Sequence, residues 1–157
     1  MADLNHKEVP DTKQSNPEAQ SRINEVATKA IQIIENNPKI EEILRESLKK
    51  NILDAILKNP MMVQSVLDEV DRRFKARLDN MPVSERLKAI KWYADLTEQL
   101  GRDIAAKTLN VHLADDINIA RAQFDAKTKS LRSTYKEILE SLKDQTWKQY
   151  TGNNIIA

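Results

Sequence analysis

Two glycines among 157 residues set the tightest limit on what this chain can become. Tight hairpins and phosphate-cradling loops draw on glycine for backbone with positive φ, and here there is almost none to supply it. Five prolines are likewise too few to punctuate a strand-and-turn protein. A charged fraction of 31% beside a hydrophobic fraction of 40% then fits helices with one wet and one apolar face. The predicted class is all-α, a short helical bundle followed by a long helical hairpin of coiled-coil type.

The prolines carry positional information. Asn16-Pro17, Asn37-Pro38 and Asn59-Pro60 recur at intervals of 21 and 22 residues, and each pair is predicted to open a helix. Asn would accept from the free amides of the first turn, and Pro fits the first helical position because its missing N–H has no partner there. Ser15 with Glu18 offers a capping box one residue earlier. Apolar residues at three- and four-residue spacing support all three helices. Helix 1, about 17–35, has Ile23, Val26, Ala27, Ala30, Ile31 and Ile34. Helix 2, about 38–58, has Ile40, Ile43, Leu44, Leu48, Ile52 and Ile56, with Asn51 along the same line. Helix 3, about 60–79, has Val63, Val66, Leu67, Val70 and Phe74. Met61-Met62 reads as core filling or as an adaptable contact. The organisation is a disordered arm at 1–15 and a three-helix bundle at 16–80.

A long hairpin at 83–150 is expected to follow, with Ser84 as its first cap. Gly101 either ends a helix or is tolerated inside one, and the helix-poor stretch Asn110 to Asp116 is the predicted reversal. Beyond it Ile117, Ala120, Phe124, Leu131, Tyr135 and Ile138 form a seam that breaks at Lys127 or Thr128. Thr151-Gly152-Asn153 is the expected stop, leaving 151–157 as a tail.

The residues argue against catalysis. With no cysteine there is no thiolate nucleophile, disulfide or thiolate metal site. Of two histidines, His6 lies in the arm, while His112 has Asp115 and Asp116 at i+3 and i+4, a spacing that could share a cation but reads more simply as a surface histidine. Glu41-Glu42 falls in a helical first turn, where the helix dipole favours negative charge without any chemistry. No cofactor, catalytic residue or metal ligand is expected. No basic start followed by an apolar stretch, and no run long enough to span a bilayer, is present, so a cytoplasmic location is expected.

What remains is contact. The favoured function is a non-catalytic protein-binding protein, an adaptor, chaperone-like partner or assembly factor, working through apolar helix faces and able to form a homo-oligomer. Phe124, Ile138, Trp147, Tyr150 and Trp92 are the predicted anchors. The alternative is a nucleic-acid-associated regulator using Arg72, Arg73, Lys75, Arg77, Arg86, Lys88 and Lys91, which against Asp71, Asp79 and Glu85 leave 7 − 3 = +4. A second basic stretch comprises Lys127, Lys129, Arg132 and Lys136. An aromatic fraction of 4% and the lack of a DNA- or RNA-reading motif weigh against that alternative. A third reading is a secreted effector without a signal peptide, exported through a C-terminal signal around Ile155 and Ile156.

Overall fold

A computed structural model describes residues 17–37, 39–107 and 114–156, with side chains described at 17–37, 39–107 and 115–144. Five helices make up the architecture: α1 (Pro17–Asn36), α2 (Glu42–Lys58), α3 (Val63–Leu78), α4 (Val83–Ala106) and α5 (Ala114–Ile156), with a 3₁₀ turn at Pro60–Met62 leading into α3. The all-α class is as predicted. The arm at 1–15 lies outside the described residues, as does His112.

The periodic stripes of α1 and α3 are the ones that bury. Ile23, Val26, Ala27, Ala30, Ile31 and Ile34 lie at 5% exposure or less, and Val63, Val66, Leu67, Val70 and Phe74 do the same from α3. These two helices run parallel, since Arg73 on α3 donates to the Thr28 hydroxyl at 2.9 Å and, farther on, Arg77 pairs with Glu35. Returning antiparallel to α3, α4 sets Tyr93 edge-on to Phe74, with ring centroids 5.1 Å apart. Against both lies α5, paired along α4 and touching α3 and the 3₁₀ turn. A single apolar cluster runs through all five helices, so the inner half of the hairpin shares its core with α1–α3.

The Asn-Pro pairs behave differently from expectation. At the second, the Asn37 amide donates to the carbonyl of Ile33 at 2.9 Å, and Asn36 does the same to Gln32. Both asparagine side chains thus bond back to carbonyls near the end of α1 and not forward to amides of α2, which begins only at Glu42. At the third, Pro60 does open a helical turn, but the Asn59 side chain makes no capping bond. Ser84 is not a cap either: Pro82 holds that position and α4 starts at Val83. Asn16 lies outside the described residues.

From Leu48 onward α2 packs as predicted. Ile52, Leu53 and Ile56 are buried, whereas Ile43 is 84% exposed and Leu44 51%. The inward positions near the start of α2 are Arg45 and Lys49, which with Ile33, Trp92 and Leu96 line a hollow of about 170 Å³. Lys49 reaches across it to donate to Gln99 at 2.9 Å. Long polar spacers at the inner face hold this end of α2 away from α4 and turn its apolar residues outward.

The chain reverses between Ala106 and Ala114, so Gly101 lies inside α4. It is there for closeness: a Cβ at 101 would sit 3.3 Å from the Cβ of Phe124, an atom that cannot yield unless α5 moves. At its far end α5 continues through Gly152 to Ile156, past the expected stop, so 151–156 is helix and not a tail.

Candidate interaction surface

The seam between α4 and α5 is apolar at its inner end and interrupted by a polar layer where the sequence pattern breaks. The hydroxyl of Thr97, 1% exposed, lies 2.8 Å from that of Thr128; one of the two donates across the seam while the other donates to its own helix carbonyl, of Ala94 at 3.0 Å or Phe124 at 2.9 Å. Beside this pair, the Asp71 carboxylate accepts from the Tyr93 hydroxyl on one oxygen and from the Lys127 ammonium on the other, each at 2.5 Å. Three helices meet in that group. The sequence gap at Lys127 and Thr128 is therefore a site where polar partners replace an apolar contact.

Burial pushes the Tyr93 phenol far above its ordinary range, and the charge of Asp71 and its hydrogen bond push the same way. With the folded value above the unfolded one, Tyr93 contributes its full stability below about pH 10. Above that the unfolded chain loses the proton while the folded one keeps it, and stability falls by up to about 1.4 kcal/mol per pH unit. Urea melts at pH 9 and pH 11 should show this alkaline loss in the native chain and a smaller one in Tyr93→Phe; equal losses would remove Tyr93 as the cause.

Register follows from the contacts. Gly101 faces Phe124, Thr97 faces Thr128, and Lys91 and Ala94 lie beside Tyr135 and Arg132. Each step back along α4 is matched by a step forward along α5, which puts Val83 opposite about residue 142. At 43 residues α5 is ~64 Å long, against ~36 Å for the 24 residues of α4, and it runs ~20 Å past the start of its neighbour. Leu131, Tyr135, Ile138, Leu139 and Leu142 are only half-buried.

The predicted anchors separate on this frame. Phe124 is 2% exposed and belongs to the core, so it presents no surface to a partner. Ile138 is half-buried on the outer seam. Trp92 is half-buried on α4, lining the hollow beside α2 and another of about 390 Å³ beside the end of α1. Trp147 and Tyr150 lie on the part of α5 that outruns α4, where side chains are outside the described residues.

Much of the basic patch is engaged. Arg72 and Arg73 both hold Glu69, whose carboxyl is kept below its usual range chiefly by the bond from Arg72. Arg77 pairs with Glu35, and Lys91 with Asp95 at 3.4 Å. Arg86 donates to the Met81 carbonyl at 3.2 Å. Lys75 and Lys88 form no ion pair among the described residues. From the second stretch, Lys127 is held by Asp71, while Arg132 bridges Asp95 at 3.1 Å and Glu98, holding the Glu98 carboxyl low together with Arg102. Sequence reasoning missed that the two stretches meet: Lys91 and Arg132 line one hollow with Ala94 and Tyr135. It also missed the Asp71–Tyr93–Lys127 group, for which the broken seam was the available signal. Among the described residues no cluster of potential metal ligands is found, and no helix is long and apolar enough to cross a membrane. No protein-family model, curated protein or solved structure matches the chain.

Proposed function

We propose that this chain is a non-catalytic binding protein whose outer α4–α5 hairpin, and above all the extended end of α5, takes up a protein partner. The observation that carries the reading is the mismatch in length between the two helices. Isolated helical segments are marginal in water, and a stretch of about 14 residues beyond its neighbour gains most of its stability from whatever packs on it. The sequence places Trp147 and Tyr150 there, residue types that contribute heavily to interfaces. Exposed Ile43 and Leu44 at the start of α2 add apolar surface elsewhere.

The test is a chain ending at Asp144. It should keep the cooperative thermal melt of the full protein, because the described core lies before that point, and lose capture of the partner from extracts of the source cell. A shortened chain that captures the same protein as well as the full one would remove the α5 extension from the interface. In solution the full monomer should scatter with a radius of gyration clearly above the ~15 Å of a compact chain of this length.

A further inference from the structure

We infer that the first half of α2 has a second setting, reached by a one-residue slip at Asn51, in which Leu44 turns into the hollow that Arg45 now spans. This motion belongs to the bundle and is independent of any partner at the end of α5. The two halves of α2 disagree over which face is inward. After Asn51 the inward positions are apolar and closed, with Ile52 at 1% and Ile56 at 0% exposure. Before it, Arg45 and Lys49 take the inward line while Ile43 and Leu44 face water. The hollow of about 170 Å³ beneath them has Ile33, Leu96 and Trp92 in its walls. Two long cationic side chains span that space on their stems without filling it.

The first half is also lightly held. Glu41 at its N-cap makes no side-chain capping bond. Arg45 and Lys49 pair with Glu42 and Glu46 of the same helix, so these ion pairs turn with it. Lys49 ties it to α4 through exposed Gln99. Asn51, exposed and a weak helix former, stands at the joint. An α-helix advances about 100° per residue, so one widened turn of π type at Asn51 puts each earlier residue where its successor stood. Leu44 then takes the place of Arg45, and Leu48 that of Lys49. Arg45 and Lys49 move to the places of Glu46 and Lys50, both exposed. Ser47 takes the half-buried place of Leu48, a small hydroxyl in exchange for two cations. The step consumes ~1.5 Å of chain, which the irregular residues 39–41 ahead of α2 can yield.

Trp92 in the wall of the hollow is the reporter. Fluorine NMR of the full chain carrying fluorinated tryptophan, with Trp147→Phe so that Trp92 alone gives a signal, provides the test. Relaxation dispersion should reveal exchange with a minor state on the μs–ms timescale. Leu44→Ser should lower the minor population by about threefold or more, because it removes the side chain that fills the hollow. Gln99→Ala should raise it by about twofold or more, because it removes a bond made only in the described setting. Arg45→Leu supplies a leucine to the hollow without any slip and should abolish the exchange. Leu44 and Gln99 are exposed, and unchanged melts confirm that the fold persists in their variants. A native sequence without exchange at Trp92 would overturn the inference. So would a minor population that fails to move in opposite directions in Leu44→Ser and Gln99→Ala, since the motion would then belong to another part of the bundle.

Discussion

Phe124→Ala should cost the fold about 3–5 kcal/mol, the range for removing a fully buried aromatic. The side chain is 2% exposed, and its Cβ lies where α5 approaches Gly101 most closely. Helices pressed together there cannot close further to fill the vacated space, which places the expected loss in the upper part of that range. Chemical denaturation should show a lower midpoint with an unchanged slope. A loss under about 1 kcal/mol would mean that α5 is not docked on the core as described. A charged residue at 124 should unfold the inner hairpin outright, and so is no probe of an interface.

Asp71→Ala should cost about 1–2 kcal/mol, because the Tyr93 hydroxyl, on a residue 1% exposed, loses its acceptor, while the 37% exposure of the Asp71 side chain lets water take part of its place. Lys127 adds less, since its partly exposed side chain can swing into solvent. The diagnostic outcome is non-additivity: Tyr93→Phe made in the Asp71→Ala background should recover part of the loss, while Tyr93→Phe alone destabilises. Additive costs would show that the two residues do not act as one group.

The fold class and the stripes of α1 and α3 were legible because a helix packed on one side writes its burial into a 3.6-residue period. The start of α2 was not legible for the same reason turned around. Ile43 and Leu44 fit the period, yet Arg45 and Lys49 occupy the inward positions, and periodicity alone cannot say which of two faces meets the bundle. The second and third Asn-Pro pairs fall at helix junctions, but neither Asn37 nor Asn59 caps the helix that follows, and α2 begins only at Glu42. An asparagine between two helices can serve carbonyls behind it as readily as amides ahead of it, and at Asn37 the former prevails. At the α4–α5 hollow, each basic stretch was visible singly. Their meeting depends on the antiparallel register of α4 and α5, which is set by Gly101, Thr97 and Thr128, residues with no charge to draw attention.

That register also decides how the protein would respond to a pull. Sliding α5 by one helical turn, ~5.4 Å, would part Thr97 from Thr128 and Asp71 from Lys127, and would bring a different side chain against the gap at Gly101. The seam has one setting and no neighbouring one. Tension applied by a partner to the far end of α5 is thus borne in shear, by the polar layer and the Gly101–Phe124 contact together, and is delivered to the core instead of being dissipated by slip. Mechanically the long helix is fixed to the bundle near the middle of the α4–α5 seam.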